Sequence, residues 1–388
     1  MLSLLWATAF GSFLWADPAF ELPNDASPAD RWLSFRGSLK MSGVSLDILS
    51  AEPELLWSVK TDDSFESTAA IVDEAIYLPS IMGRCYCLDL ISGKEKWRFQ
   101  SPDEDPVKSS PCVTGGAIVY GDDVGVVRSM DRETGKVNWT FEAQAEIICS
   151  PTLVEGKLLV GAYDNFLYCL DPTTGSMNWK VETDGPVHCS PSLVEGAVAV
   201  AGCDGIIRLL NVADGKENSS VEIGGNIAST PAVVGSRLFL GTMNESVIGI
   251  DWKKSQVVWT YRRPDRSFPF YSSPAVYEDL IIIGGRDKSV HALEQGSGKE
   301  RWNFRTKARV DSSPVVVGKR AYIGSHDGNL YAINAKTGEK EWEYAVEGAI
   351  ISSPAIARGK LVIASAEGMI YCFGSKDEPK SAAGTPAP

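Results

Sequence analysis

Histidine is the side chain most often used for acid–base or metal chemistry near neutral pH, and this chain of 388 residues has three histidines. They are His188, His291 and His326. Their spacing matches neither H-x-x-x-H nor H-E-x-x-H, the patterns that place two imidazoles on one face of a helix to hold zinc. We therefore expect no dedicated metal site and no catalytic centre built on histidine.

The eight cysteines are a second set of reactive side chains. They include no C-x-x-C pair of the kind that binds zinc or exchanges disulfides, and the nearest approach to one is Cys85-x-Cys87. No two cysteines are adjacent in the chain. We expect most of them to be buried free thiols that pack as small apolar side chains.

The charge of the chain limits its partners. The formal net charge is −13 at pH 7, whereas phosphate backbones are bound by clustered lysine and arginine. A nucleic-acid partner is therefore not expected. With 44% hydrophobic residues, the chain has enough apolar material for a large core.

A repeat of about 40 residues runs through most of the chain. Its clearest sign is a Ser-Pro or Thr-Pro dipeptide, called the marker below, and a degenerate copy stands at Thr68-Ala69. Successive markers are separated by 40, 40, 40, 43, 40 and 40 residues. The full markers begin at Ser110, Ser150, Ser190, Thr230, Ser273, Ser313 and Ser353. Such a fixed period predicts a repeat architecture with eight units.

Tryptophan recurs with the same period, and Ser219 stands where one copy is missing. Six of the repeats have a turn that begins with Asp, Asn or Glu and ends with Gly, such as Asn334 to Gly338, just before the tryptophan position. We expect each indole to lie between two neighbouring units, and the junction at Ser219 to be the weakest. These docking tryptophans are Trp57, Trp97, Trp139, Trp179, Trp259, Trp302 and Trp342.

Each unit has the pattern of four short strands. In the unit that runs from Val310 to Glu343, alternating apolar segments are separated by a Gly318 turn, an Asp327-Gly328 hairpin and the Asn334 turn. Helical periodicity is absent from 53 to 374. Four strands in each of eight units predict an all-β, eight-bladed β-propeller with four-stranded antiparallel blades.

The two ends of the repeat region each contain part of one blade, and the two parts complement each other. The segment around Trp57 is an outer strand without its three predecessors, and the last segment, Met369 to Gly374, is a third strand without a fourth. An open array would leave costly unpaired edges. We therefore expect the N-terminal strand to complete the last blade.

The chain outside the repeats is divided by composition. Residues 1–16 include the uncharged apolar run from Leu2 to Ala16, which suits a signal peptide or an N-terminal anchor, although a charged n-region is missing. We expect residues 17–53 to form an N-terminal extension, 54–374 the propeller, and 375–388 a disordered tail. This predicts an exported, periplasmic or cell-envelope protein with a monomeric propeller and a candidate membrane anchor at its N-terminus.

The segment from Tyr331 to Trp342, YAINAKTGEKEW, and its copies such as YCLDLISGKEKW resemble the repeat of pyrroloquinoline-quinone (PQQ)-type propellers. The segment from Arg31 to Ser45, RWLSFRGSLKMSGVS, is similar to the one that precedes the propeller in exported bacterial proteins of this type. The resemblance covers about residues 55–374 and implies one of two functions. One is that of the quinoprotein dehydrogenases, and the other is that of the propeller lipoprotein that scaffolds the outer-membrane β-barrel assembly machinery.

The resemblance to the dehydrogenases implies PQQ, a Ca²⁺ ion held by Glu, Asn and Asp, and often two adjacent cysteines over the quinone. This chain has no adjacent cysteine pair, and its repeats differ in length by only two or three residues. No insertion is available to build a cofactor cage. We therefore expect no cofactor and a protein that is not an enzyme, with PQQ and Ca²⁺ as the alternative.

Two regions are candidate binding sites. The 43-residue step contains a long link, residues 261–274, whose mixture of arginine and aromatic residues is typical of protein interfaces; the alternative is that this link packs on its own blade. The links that end at the markers should surround one mouth of the channel. The candidate partner-binding residues are Arg262, Arg263, Arg266, Phe268, Phe270 and Tyr271, and the candidate channel-mouth residues are Glu66, Lys108, Glu146, His188, Arg309 and Asp311.

These observations favour a non-catalytic exported scaffold that binds protein partners through a propeller face. The alternative is a PQQ-dependent dehydrogenase-like enzyme, or a protein that binds a small polar ligand at the channel mouth. The regular length of the repeats favours the scaffold, because a site for catalysis is usually built from insertions.

Overall fold

A computed structural model describes residues 28–264 and 268–376 of the chain. The predicted signal peptide or anchor, the first part of the extension, nearly all of the tail and Arg266 lie outside these residues. Within them the secondary structure consists of 33 strands, β1 to β33, and no helix suited to crossing a membrane is present in this part of the chain. The prediction of an all-β, eight-bladed propeller is confirmed.

The strand bounds follow the repeat. The segment before the first blade contains β1 (Val44–Ser45) and β2 (Glu54–Lys60). Blades 1 to 4 are β3 (Ala70–Val72), β4 (Ala75–Pro79), β5 (Arg84–Asp89), β6 (Glu95–Gln100); β7 (Cys112–Thr114), β8 (Ala117–Gly121), β9 (Val126–Asp131), β10 (Val137–Glu142); β11 (Thr152–Val154), β12 (Lys157–Gly161), β13 (Phe166–Leu170), β14 (Met177–Glu182); and β15 (Ser192–Val194), β16 (Ala197–Ala201), β17 (Ile206–Asn211), β18 (Glu217–Glu222). Blades 5 to 8 are β19 (Ala232–Val234), β20 (Arg237–Gly241), β21 (Val247–Asp251), β22 (Gln256–Tyr261); β23 (Ala275–Tyr277), β24 (Leu280–Gly285), β25 (Ser289–Glu294), β26 (Glu300–Arg305); β27 (Val315–Val317), β28 (Arg320–Gly324), β29 (Asn329–Asn334), β30 (Lys340–Ala345); and β31 (Ala355–Ala357), β32 (Lys360–Ala364), β33 (Met369–Gly374).

The four strands of a blade pair antiparallel in chain order, from the channel outwards. The second and third strands are almost entirely buried, because both of their faces are covered by the neighbouring blades. The fourth strand alternates between exposed and half-buried residues, as expected for an outer strand with one covered face. The core is therefore a ring of apolar layers between blades rather than one central cluster.

The last blade is completed by the N-terminal strand. Strand β2 pairs antiparallel with β33, so that Trp57 lies opposite Cys372, and the sheet order is β2-β33-β32-β31. Closure of the ring by the first long strand is confirmed. This pairing leaves no unpaired outer edge on β33.

The docking tryptophans join neighbouring blades through two contacts. The ring packs on the glycine that ends the turn of the next blade, and a Cβ added to that glycine would lie 2.4–2.8 Å from the ring atoms at six junctions. At the same six junctions the indole Nε1 donates a hydrogen bond of 2.9–3.2 Å to a backbone carbonyl of that turn. A larger residue than glycine therefore cannot stand beneath these rings.

The N-terminal extension runs around the inside of the channel. Trp32 exchanges two backbone hydrogen bonds with Ile71 of the first inner strand, and the carbonyl groups of Leu33, Leu39 and Lys40 accept amides of inner strands farther round the ring. Strand β1 then pairs parallel with β27 in blade 7. The extension thus satisfies backbone groups on the innermost strand edges, which otherwise face an open channel.

Two side chains of the extension close the channel. Phe35 forms part of the floor beneath the mouth at which the markers meet. Arg36 is fully buried, its Nη2 donates to the carbonyl of Pro274 at 2.9 Å, and burial lowers its pKa to about 9. A Cβ on Gly43 would lie only 1.8 Å from that Nη2, so glycine is required there.

Candidate functional site

The marker hydroxyls form a closed circuit around the channel mouth. The backbone N–H of each marker serine or threonine donates to the hydroxyl oxygen of the equivalent residue in the next blade, at 2.9–3.3 Å. The last of these bonds runs from Ser353 back to Thr68, which closes the circle of eight. Each hydroxyl keeps its own proton for a second partner.

The residue before each marker holds the inner strand to the second strand of the same blade. Ser109 illustrates this contact, since its hydroxyl bonds both the carbonyl and the amide of Gly121. Cys149 takes the same position and accepts the amide of Gly161 at 3.4 Å. Burial raises the pKa of Cys149 to about 12, so it remains a thiol. All eight cysteines are free, and seven are buried, which agrees with the packing role expected of them.

The mouth encloses a pocket of about 190 Å³, which we call the channel-mouth pocket. Its wall consists of two rings of residues above Phe35. One ring is the eight marker hydroxyls, and the other is formed by the residues two positions before them: Glu66, Lys108, Ile148, His188, Ala228, Tyr271, Asp311 and Ile351. The volume is below the ~300–1,000 Å³ typical of sites for drug-sized ligands, so the pocket suits a small molecule.

Two charged side chains of the wall are held by partners outside it. Lys108 forms an ion pair of 2.5 Å with Asp123. Asp311 accepts two hydrogen bonds from Arg286, at 2.8 and 3.1 Å, and lies 3.0 Å from His326 Nε2. Burial favours the neutral acid, but these cationic and hydrogen-bonding partners outweigh burial and lower the pKa of Asp311.

His188 is the only histidine of the chain in the wall of the pocket. Its Nδ1 lies 2.5 Å from the hydroxyl oxygen of Tyr163, within hydrogen-bond distance. Burial lowers the pKa of His188 below its usual value, so the ring is neutral at pH 7. The pocket therefore combines a neutral imidazole with one cation and two acidic groups.

The structure places the six predicted channel-mouth residues at two levels. Glu66, Lys108, His188 and Asp311 line the pocket. Glu146 and Arg309 are exposed. They lie two residues before Ile148 and Asp311, which line the pocket in the same links. These two residues therefore belong to the outer surface of the same face.

The long link is only partly exposed. Phe270 is 2% exposed and packs edge-on against His291, and Tyr271 lines the pocket beneath Arg286, whose guanidinium is 3.8 Å from the ring centre. Arg263 pairs with Asp287 at 2.7 Å. These three residues pack on their own and neighbouring blades and do not form an outward-facing contact surface, because the link folds inward at its end. Arg262 is exposed and Phe268 is 45% exposed.

His291 joins the long link to blade 6. The ring is fully buried, with Nε2 3.1 Å from Asp287 and Nδ1 2.7 Å from Glu300. Burial alone would lower the pKa of His291, but these two hydrogen bonds and the carboxylate charges outweigh it and raise the pKa above its ordinary value. The same contacts outweigh burial at Asp287 and Glu300 and lower the pKa of both acids. The two carboxylates thus favour the cationic form of the imidazole.

The His291 network predicts a pH-dependent contribution to stability. Because the pKa of His291 is raised in the folded state, its contribution is complete below the unfolded value of ~6.5 and is lost as the pH rises through the folded value. The two acids contribute above their unfolded values of ~4 and lose that contribution as the pH falls. The free energy of unfolding of the wild type should therefore exceed that of His291→Gln by more at pH 5.5 than at pH 9.

Urea unfolding of both proteins at the two pH values measures this difference. Lys299→Gln, on the exposed turn beside the network, is the control and should change stability equally at both. A His291→Gln effect that stays constant or grows with pH would contradict the cationic assignment.

A calcium-held quinone does not fit the pocket residues. Ca²⁺ takes six to eight oxygen ligands, yet within 28–264 and 268–376 no group of three or more His, Cys, Asp or Glu side chains is placed to hold a metal ion. Asp311 is already engaged by Arg286 and by Arg309, at 3.2 Å.

The pocket contains residues that the sequence analysis did not select. From the sequence, Tyr271 is predicted to bind a partner, and Ile148, Ala228 and Ile351 are not among the predicted channel-mouth residues. All of them could have been found by taking the residue two positions before every marker, since the inner end of each link has the same geometry in every blade. Phe35 had no such signal, because its position depends on the path of the extension.

The fold and this site define a β-propeller built from eight PQQ-like repeats, with a polar pocket at one mouth of a plugged channel. A family model described as outer membrane protein assembly factor BamB matches residues 46–153, 124–220 and 210–377. The chain belongs to this family. The resemblance inferred from the repeats is confirmed.

Solved structures show the same architecture at low sequence identity. BamB from Moraxella catarrhalis is 19% identical with a TM-score of 0.72, and the match covers 83% of this chain and 100% of that one. A europium-containing methanol dehydrogenase is 13% identical with a TM-score of 0.77, over 89% of this chain and 98% of that one. The quinohemoprotein alcohol dehydrogenase from Comamonas testosteroni is 13% identical with a TM-score of 0.78, over 93% and 83%. These likenesses concern the fold alone, and no curated protein matches the chain.

Proposed function

We propose that this protein is a non-catalytic, exported scaffold that binds a protein partner through the propeller face on which the markers lie. Membership of the family described as an outer membrane protein assembly factor supports a role in the assembly of cell-envelope proteins. The apolar run from Leu2 to Ala16 supports export, either through a signal peptide or with this run as an N-terminal anchor.

The observation that carries the proposal is the exposed part of the long link. Arg262 and Phe268 face solvent, while Arg263 is held by Asp287 and Phe270 is buried. Arginine and aromatic residues are enriched at the energetic centres of interfaces. The ion pair of Arg263 and the burial of Phe270 hold the two ends of the link, which reduces the ordering cost of binding. Arg262 and Phe268 are therefore suited to a contact surface.

The test is capture of partners from a solubilised membrane fraction by the tagged full-length chain. Arg262→Glu combined with Phe268→Ala should reduce capture at least about 10-fold, because each residue of an interface centre contributes ~2 kcal/mol or more. The matched control is Lys336→Glu combined with Ile91→Ala, which changes one exposed cation and one residue that is 52% exposed in turns on the opposite face. Equal capture by the link variant and the control would refute the assignment of the link.

A second candidate function is the binding of a small polar molecule in the channel-mouth pocket. The observation that favours it is the convergence of hydroxyl groups with Glu66, Lys108 and His188 on one enclosed volume. Such a site suits a ligand with both signs of charge. In the capture experiment, Lys108→Ala combined with His188→Ala distinguishes the channel-mouth pocket from the long link as the functional site. This variant alters the pocket and leaves Arg262 and Phe268 in place.

A further inference from the structure

The channel-mouth pocket has a charged side and an apolar side. Its three charged wall residues, Asp311, Glu66 and Lys108, precede the markers of blades 7, 1 and 2. These blades follow one another around the ring, with only blade 8 and its Ile351 between blades 7 and 1. The remaining wall residues come from blades 3 to 6 and are Ile148, His188, Ala228 and Tyr271. A ligand in the pocket therefore meets charged groups on one side only.

The side of the pocket formed by blades 3 to 6 offers apolar contacts. His188 is neutral there, because burial lowers its pKa, and its ring is bonded to Tyr163 and to the backbone of Ala228. Ile148 and Tyr271 of the wall and Phe35 of the floor provide apolar surface. This side therefore suits a hydrocarbon group of a ligand.

Glu66 is the charged wall residue that has no partner among the described residues. Lys108 and Asp311 are each held by ion pairs with residues outside the wall. Glu66 is half-buried, and no hydrogen bond or ion pair joins it to another residue of 28–264 or 268–376. A carboxylate that is partly withdrawn from water is stabilised most by a cationic donor. Glu66 therefore suits an ammonium group of a ligand.

Hydrogen-bond donors stand next to Glu66 in the wall. The hydroxyl oxygens of Thr68 and Ser110 accept backbone amides of neighbouring blades, and neither hydroxyl proton has an acceptor among the described residues. Lys108, two residues before Ser110, has three N–H groups, of which one is donated to Asp123. Hydroxyl and ammonium donors that converge in this way bind a carboxylate through charge-assisted hydrogen bonds. The wall at blades 1 and 2 therefore suits a ligand carboxylate beside the ammonium group.

We propose that the channel-mouth pocket binds a free α-amino acid with an apolar side chain. Glu66 accepts hydrogen bonds from the ammonium group of the amino acid, and Lys108 and Ser110 donate to its carboxylate. Because Glu66 and Lys108 come from adjacent blades, they suit two charged groups on one carbon. The side chain of the amino acid packs on the apolar side, against Ile148 and Phe35, and the volume of about 190 Å³ suits a single residue. This inference rests on the small-ligand function proposed above for the pocket and names the class of ligand.

The first test is isothermal titration calorimetry of the full chain with L-leucine as the probe, and we expect saturable binding. Two analogues each lack one charged group: 3-methylbutylamine has no carboxylate and 4-methylpentanoate has no ammonium group. Each should bind at least about 10-fold more weakly, because charge-assisted hydrogen bonds are lost. Glycine should also bind at least about 10-fold more weakly, because it buries no side chain. Absence of saturable binding, or an affinity for any of the three analogues equal to that for L-leucine, would overturn the proposal.

The second test removes one charge from the wall at a time. Glu66→Gln keeps the shape of the side chain and should weaken L-leucine binding at least about 10-fold, while 4-methylpentanoate, which has no ammonium group, should bind no more weakly than to the wild type. Lys108→Gln combined with Asp123→Asn removes the ion pair as a unit and should spare 3-methylbutylamine instead. Glu146→Gln is the matched control, because it changes an exposed carboxylate on the same face and should leave every affinity unchanged. Equal losses of L-leucine and 4-methylpentanoate binding in Glu66→Gln would overturn the assignment of the ammonium group to Glu66 and with it the proposal.

The outcome is separable from those of the two functions proposed above. If L-leucine does not bind while partner capture depends on Arg262 and Phe268, the scaffold function stands and the amino-acid ligand is refuted. If L-leucine does not bind but Lys108→Ala combined with His188→Ala changes capture, the pocket is functional and its ligand class is wrong. L-Leucine amide that binds as tightly as L-leucine would assign the pocket to the N-terminus of a polypeptide, and N-acetyl-L-leucine that does so would assign it to a C-terminus. Either result would overturn the proposal of a free amino acid.

Discussion

Replacement of Trp302 by alanine should lower the free energy of unfolding by ~3–5 kcal/mol. The indole is only 9% exposed, packs on Gly338 of the next blade and donates to the carbonyl of Ala335 at 3.1 Å. The substitution removes the apolar contact and leaves a cavity that rigid strands on both sides cannot close. Urea unfolding of the full chain measures the loss.

Ser219→Ala is the matched control for Trp302→Ala. Ser219 has the same place in its blade but no indole to lose, so its replacement should change the free energy of unfolding by about 0.5 kcal/mol or less. If the two variants lose similar amounts, the docking tryptophans do not hold the blades together.

Replacement of Trp32 by alanine should destabilise the protein by a similar ~3–5 kcal/mol and also loosen the extension. Trp32 is fully buried, and a Cβ on Gly37 would lie 2.5 Å from its ring. The amides of Val113 and Leu193 donate to carbonyl groups of the extension. Their hydrogen exchange should therefore accelerate in the variant.

The amide of Gly121 provides an internal reference for that exchange experiment, because it donates to the hydroxyl of Ser109 and does not contact the extension. Ile48→Ala is the matched control in the same segment, since Ile48 is 86% exposed. Unchanged exchange at Val113 in Trp32→Ala would mean that the extension is not anchored by its tryptophan.

The architecture could be predicted from the sequence because each blade packs against its neighbours through the same repeated pattern of strands, turns and docking residues. The sequence correctly predicts that Gly338 and its equivalents end turns, but their second role beneath an indole is visible only in the structure. The phase difference between the Trp57 segment and the last strand was sufficient to predict ring closure. Residues 28–47 have no repeat and little regular structure, so nothing in their pattern indicated a path through the channel.

The functional site was only partly predictable for a related reason. The repeated proline makes the marker dipeptide easy to recognise in the sequence. Thr68 is not followed by proline, yet it still completes the hydroxyl circuit. The hydroxyl is thus the feature shared by all eight blades. The sequence predicts Phe270 at the surface because it lies in the longest link. A link with three additional residues can, however, fold back and bury an aromatic side chain against His291.

The path of the extension has a consequence for the order in which the molecule can mature. A chain emerges from the ribosome from its N-terminus, so Trp32 and β2 are made before any complete blade. The extension, however, also contacts parts of the chain that are made much later: Ser42, Gly43 and Asp47 accept the amides of Val276, Val316 and Gly359, and β2 pairs with β33. The extension is therefore synthesised first among the described residues but is among the last segments to reach its final position. It can fill the channel only after translation is nearly complete.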